Sequence, residues 1–589
     1  MCGIAGLILP QGASPNSILA ENTLKVLHPR GPDAQNYLIQ ENTLWCHTLL
    51  SIIQPQQGIQ QPLRDPSGRY LLVFNGEIFN YTELKSSLNQ TWIPNHSDTS
   101  VLLAGLIQEG INFLPKIRGF FALGFYDFIS QELILARDHV GIKPLYYYHL
   151  NNSLGFASEP GALFTLGLEK RININNLSWY ITLGYLPSGI NEWDQVNEVP
   201  VSGWLKYTPN QNIQSGIFHP EIPNVHNTSF KDHLITALNR NTIADTPGGI
   251  LLSGGTDSTL LACAATKYFK SPLNAFSVGF PSFPTIDESE RIKSLAHKLS
   301  MPLYIWNADK NSLADLALHW LDTTDELLAD PAVILISGLC KHAHEQGIKW
   351  LWSGEGADEI WGGYQRYKAW KWVQNIPFTV PSLLNYNSTG VREFKGENNI
   401  RKLFRLLQLL QLPLSQRYSA LVSTPEMNWC KPTLPPIHWN PWMPESSQLI
   451  DVLTADIRLQ LPAQLLRKCD RASMSQGVEI RVPYLDEDWI AWAYTQPEKL
   501  RFGKPLLKKE IQTYLPDWKA GPKRGLDTPL SLLFQSQKFQ ERWNYYLNSP
   551  SACEWIIPSV LKKLKKNALG NFGEMHWKII CFLAWIEKK

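Results

Sequence analysis

The chain has 589 residues, 44% hydrophobic and 18% charged, and its 54 Lys plus Arg nearly balance its 52 Asp plus Glu, for a formal net charge of +2. That length exceeds one ordinary core and implies two to four units of roughly 100 to 200 residues, while the near-neutral balance excludes a global field for nucleic acid or an anionic membrane. Eight cysteines without a C-x-x-C pair speak against a zinc site or a disulfide framework, and with no leader pattern and no spanning apolar run the sequence reads as a soluble, cytoplasmic protein.

The first predicted element is the apolar strand "MCGIAGLILP". A cysteine in second place becomes N-terminal if Met1 is removed, and then carries a nucleophile and an α-amine able to activate it on one residue. The alternative is a small side chain packed in a strand. Beyond it, "RYLLVFNGEIFNY", "GFFALGFYDF", "ELILARDHVG", "KPLYYYHL" and "LGFASEP" read as short strands between turn residues, interrupted by helices at "SILAENTLKVL" and "DTSVLLAGLIQEG". This is the texture of packed sheets, an α+β sandwich over 1–205.

A Pro/Asn-rich stretch, 206–228, reads as a linker. From 229 to 589 strands alternate with helices, in "GGILLSGGTDSTLLACAATKYF", "LNAFSVGF", "ERIKSLAHKLS" and "PLYIWNA", which predicts a parallel sheet with helices on its faces. After about residue 365 the chain turns mainly helical, as in "IRKLFRLLQLLQL" and "DVLTADIRLQLPAQLLRKCDRASM". The basic run "LKKLKKNA" reads as a solvated helix face.

Two motifs carry chemistry. "LLSGGTDST" sets two glycines and several hydroxyls between a strand and a helix, a cradle for a pyrophosphate-sized anion. It lacks the lysine of the common phosphate loop, and Asp257 would repel phosphate unless a cation lay between, which implies Mg2+. "LWSGEGADEIWGGY" places Glu355, Asp358 and Glu359 at the end of another strand, where open α/β sheets bind ligands; Asp358 and Asp257 together would complete the Mg2+ site. The bland alternatives are a capped glycine turn and a solvated acidic turn.

With these motifs, "HPRGPDA", "FNGEIFNY", "RDHVGIKPLYY", "DRASMSQGVEIRVPYLD" and "GKPLLKKE" occur in the order found in the glutamine-hydrolysing asparagine synthetases, and the chain resembles that family over nearly its whole length. The resemblance implies an αββα N-terminal-nucleophile glutaminase sandwich followed by a pyrophosphatase-loop synthetase domain. One site would release ammonia from glutamine. The other would adenylate a carboxylate with ATP, and ammonia would displace AMP. Position by position, Cys2 resembles the thiol nucleophile, Asn75 and Gly76 the oxyanion hole, and Glu77 and Asp98 the groups holding glutamine's α-amino end. Ser253, Gly254, Gly255, Asp257 and Ser258 resemble the pyrophosphate loop, joined at the ATP site by Ser353 and Gly354, with adenine at Val278 and Gly279. Asp257 and Asp358 resemble the metal pair, Glu355 the group managing the attacking amine's proton, and Lys504 the lysine offsetting charge on the α-phosphate. Small-molecule partners alone are implied, with neither nucleic acid nor membrane, and a homodimer is consistent with the family.

One stretch departs from the pattern. Where the family carries an arginine for glutamine's α-carboxylate, "HTLLSII" has Leu49. Either another cation replaces it, Arg30 of "HPRGPDA" being nearest in motif terms, or the glutaminase is weak and free ammonia or another amine is the nucleophile. The acceptor region "DTTDELLADPAVILISG" shows no arginine for aspartate, although Arg471, Arg481 or Lys523 could supply charge. Aspartate is therefore the acceptor by resemblance only; a peptide or other carboxylate, closed to an amide or macrolactam, is the alternative, and a silent nucleotide or glutamine sensor the third reading.

Overall fold

A computed structural model describes residues 2–588 except 54–59, 90, 91, 94–96, 222–228, 270–272, 375, 377–406, 408, 424–428, 436, 438–447, 522–525 and 567–571. Most of the helix expected at 400–412, and Lys523, lie outside the described residues.

The N-terminal half is two six-stranded antiparallel sheets face to face. One carries Cys2–Ile8 between Thr43–Leu49 and Ser153–Ala157; in the other, Tyr70–Ile78 pairs with Gly119–Asp127. Period-two alternation makes the sandwich: Ile4, Ile8 and Trp45 of the first sheet meet Leu71, Val73 and Ala122 of the second. The opposite faces are covered by helices, Ser17–Leu27 on Leu44 and Cys46, and Asp98–Glu109 on Leu72 and Phe74. The layers are thus αββα.

The second sheet does not end at 205. Gly203–Tyr207 and Gln214–Ile217 form a hairpin on its edge, so the stretch read as linker opens with structured chain. Pro209, Asn210 and Asn212 lie in the turn of that hairpin.

The C-terminal half is built on a five-stranded parallel sheet, in the order Leu303–Asn307, Asn274–Gly279, Gly248–Leu251, Trp350–Trp352, Glu479–Arg481. A continuous helical stretch at 449–474 leads into the last of these strands, wound as a π-helix over Asp456–Leu466. Among the described residues no helix is long and apolar enough to cross a membrane.

Candidate active sites

At one end of the sandwich the inner faces of both sheets carry polar residues. Cys2 and Leu49 are direct cross-strand partners, so their side chains share a face, and Asn75 and Glu77 continue the opposite one. Cys2 is 6% exposed, and burial pushes its thiol up to about 11; at neutral pH it needs a base. Its backbone N donates to Asn75 Oδ1 at 3.0 Å. The same side chain's Nδ2 is buried with no hydrogen-bond partner among the described residues, a donor suited to developing negative charge. Gly76 has φ +155°, and a Cβ there would stand 2.0 Å from the Phe120 carbonyl oxygen, so only glycine fits.

Glu77 and Asp98 are both buried. Burial, then the two carboxylates' mutual repulsion and Glu479, hold Glu77 well above the usual carboxylate range. Burial also raises Asp98, against the Ile78 and Thr99 amides that donate to it. Such a pair takes an ammonium group well.

Arg30 is not available to glutamine. It is 1% exposed; its two terminal nitrogens fork onto Asp470 at 2.7 and 2.9 Å, one of them also reaching Glu159 at 2.9 Å, and Nε donates to the Cys2 carbonyl at 3.2 Å. The expectation that it replaces the missing arginine is corrected: with three carboxylate bonds made, the guanidinium ties the strand of Cys2 to the helix Arg467–Met474 of the other half.

The second cluster lies at the carboxyl ends of the parallel strands. After Gly248–Leu251 the loop turns through Gly254 at φ +71° into the helix Thr256–Tyr268. The Ser253 and Ser258 hydroxyls meet at 3.0 Å. Val278 and Gly279 end the neighbouring strand. Ser353, Gly354 and Glu355 follow Trp350–Trp352 on the other side, where a Cβ on Gly354 would come within 2.9 Å of Asp257 Cβ.

Lys504 arrives from far along the chain. It holds a left-handed conformation, φ +64°, before the helix Pro505–Tyr514, a strained geometry for a non-glycine residue that aims Nζ inward. Nζ donates to Asp257 at 2.6 and 2.7 Å and contacts Asp358. Burial works against its charge, but the two carboxylates outweigh it and raise its pKa. Two carboxylates converging on one cation position also fit Mg2+, which takes one or two protein carboxylates and completes its shell with phosphates and water. Among the described residues no group of three or more ligating side chains forms.

Glu355 is partly buried, and burial raises its pKa against the pull of Lys468, whose Nζ is 3.7 Å from Oε1. Arg471 and Arg481, expected to supply charge for an acceptor, are engaged elsewhere. Arg471 pairs with Asp325, Glu326 and Glu159. Arg481 is fully buried on Glu479 and faces Glu77 at 3.8 Å. Sequence reasoning missed Lys468 as well as Arg291, whose guanidinium donates to the Gly254 carbonyl. Neither sits in a glycine or acid motif that would signal it.

Comparison with known proteins matches residues 1–217 to the family described as "Glutamine amidotransferase domain" and 229–587 to the one described as "Asparagine synthase". The chain is 28% identical over 639 residues to asparagine synthetase (glutamine-hydrolyzing) 1 of Bacillus subtilis strain 168, covering 100% of this chain and 98% of that one. It is 28% identical to asparagine synthetase B (glutamine-hydrolyzing) of Escherichia coli K12, over 58% of this chain and 60% of that one. A third relative, at 28% over 63% of this chain and 60% of its own, is named amidase chry2, of Gibberella zeae.

Proposed function

The chain belongs to the asparagine synthase family, and from that we propose that it converts L-aspartate, L-glutamine, ATP and water to L-asparagine, L-glutamate, AMP and diphosphate. The observation that carries this reading is Lys504, drawn from a distant segment onto Asp257 and Asp358 at the mouth of the glycine loop. On this reading the glutaminase chemistry belongs to the N-terminal sandwich, whose last strand ends at Ile217, and the synthetase chemistry to 229–589.

In the first half, Cys2 Sγ attacks the glutamine carboxamide carbon. The α-amine exposed by loss of Met1 accepts the thiol proton, which compensates for a thiol that burial keeps protonated. Asn75 Nδ2 and the Gly76 N–H receive the oxyanion, and Glu77 and Asp98 hold the substrate ammonium. Ammonia leaves, and water releases glutamate from the thioester.

In the second half, a carboxylate oxygen attacks the α-phosphorus of ATP and diphosphate departs. The loop N–H groups opening the helix Thr256–Tyr268 bind phosphate oxygens, and Lys504 offsets charge as it develops on the α-phosphate. Asp257 and Asp358 would hold Mg2+, which when bound would neutralise charge on the diphosphate. Ammonia then attacks the acyl carbon, Glu355 accepts its proton, and AMP leaves. A carboxyl of raised pKa suits that acid and base role.

Leu49 favours a second reading, an amide or macrolactam synthetase on another carboxylate with a weakened glutaminase. Mass-spectrometric product analysis with ATP, Mg2+ and aspartate separates the two. Asparagine formed from glutamine or from ammonium supports the main reading; ATP consumption only with another carboxylate overturns it. The reading also takes the enzyme as cytoplasmic and compatible with a homodimer.

A further inference from the structure

A polar ladder runs along one face of the helical stretch 449–474. In its π-helical part, side chains four apart come together, and π turns concentrate where a helix must re-aim its side chains. Gln460 Nε2 donates to Gln464 Oε1 at 2.9 Å. Gln464 Nε2 in turn donates to Asp330 Oδ2 at 3.2 Å, and Lys468 Nζ reaches the same oxygen at 3.2 Å. The far end is closed, since Arg366 joins Gln460 to the fully buried Asp456. The near end opens on Glu355.

Beside Glu355, then, one ammonium that is 7% exposed is shared between two carboxylates, Asp330 and Glu355, an arrangement with one negative charge in excess. A dicarboxylate without an amine would add two negative charges and offer Asp330 nothing. The main-chain end of an α-amino acid adds no net charge: its carboxylate takes the lysine and its ammonium takes Asp330.

We propose that Lys468 and Asp330 form the subsite for the main-chain end of a free α-amino acid acceptor, Lys468 binding its carboxylate and Asp330 its ammonium, with the side-chain carboxyl directed toward Glu355. This rests on the carboxylate-activating reading above and adds what selects the acceptor. An acid without an amine leaves Asp330 without a cation, and a peptide-bonded residue has no free main-chain zwitterion to offer.

Equilibrium dialysis with Mg2+ and a non-cleavable ATP analogue tests the subsite independently of turnover, using L-aspartate, succinate and aspartate α-amide as probes. The wild-type protein is expected to bind aspartate and to prefer it over both analogues. Asp330→Asn and Lys468→Met are expected each to weaken aspartate binding by about 30-fold or more. Asp330→Asn should also erase the preference over succinate, a change of selectivity that a merely structural defect would not produce. Lys468→Arg, which keeps the charge, is expected to stay within about tenfold of wild type. If Lys468→Met does not fold, Asp330→Asn and Lys468→Arg carry the test. No binding of aspartate by the wild type, a preference for succinate, or unchanged binding in Asp330→Asn overturns the subsite. Pyrophosphate exchange on the same samples reads the reaction separately: aspartate bound without exchange overturns the activation reading and leaves the subsite standing.

Discussion

Replacing Leu49 with arginine is the sharpest probe of the glutaminase half. Residue 49 is the cross-strand partner of Cys2, so their Cβ atoms lie about 5 Å apart on one face, and an arginine there reaches the α-carboxylate of a glutamine whose carboxamide is at Sγ. Losing one partner of a desolvated, hydrogen-bonded charge pair costs about 2 to 5 kcal/mol. At about 1.4 kcal/mol per decade, Leu49→Arg is expected to lower the glutamine KM by about 30-fold to several thousand-fold. The assay is steady-state glutamine hydrolysis with kcat and KM resolved. Glu77 offers the new guanidinium a rival partner, and the two outcomes differ in sign: a fork to substrate lowers KM at unchanged kcat, whereas a fork to Glu77 removes an ammonium ligand and raises KM. A KM within twofold of wild type refutes the argument that this position governs carboxylate recognition.

Cys2→Ala is expected to abolish glutamine hydrolysis and glutamine-driven synthesis while ammonium-driven synthesis stays within a few-fold; loss of both in a folded variant would contradict the division into two sites. Lys504→Met removes the cation proposed to offset charge on the α-phosphate, and opposite unit charges about 4 Å apart at an effective dielectric of about 20 attract by about 4 kcal/mol. Pyrophosphate exchange should then fall by about 10²- to 10³-fold, and activity above a tenth of wild type would remove Lys504 from the site. Asp470→Asn removes the charged half of the fork and leaves the buried guanidinium with Glu159 as its one carboxylate partner, which should lower the unfolding free energy by about 1.5 to 3 kcal/mol in urea titrations. Burial, opposed by Arg467, raises Glu192 from 4.5 to about 7, so it stays neutral in the folded chain while the unfolded chain ionises. Its contribution is complete below about pH 4.5 and lost as pH rises to about 7, at most about 3 kcal/mol. Glu192→Gln should flatten that part of the stability profile, and an unchanged slope would count against a neutral Glu192.

What the sequence made legible was local. Strand alternation marked both sandwich sheets, and glycine and acid motifs at strand ends marked 253–258 and 353–358, because a phosphate cradle needs its residues side by side. Arg30 misled for the opposite reason: its motif neighbours suggested a substrate role, whereas its partner, Asp470, lies 440 residues away and only the docking of the halves brings the two together. Lys468 escaped notice because it sits in a helix whose winding, not its composition, aims it at Asp330 and Glu355. The hairpin at 203–217 was cut short because turn residues between two edge strands look the same as turn residues in a tether.

The Arg30–Asp470 fork bears on how such an enzyme can be rebuilt. Cys2, the proposed nucleophile, has its carbonyl held by a guanidinium that is oriented, in turn, by the opposite half, so the halves are not interchangeable cassettes. A chimera that grafts this N-terminal portion onto a foreign synthetase inherits the arginine with Glu159, and must also import an acid at the matching helical position or leave the fork unmade. Swapping pieces along this chain is therefore a matter of transplanting charge partners, not of choosing where to cut.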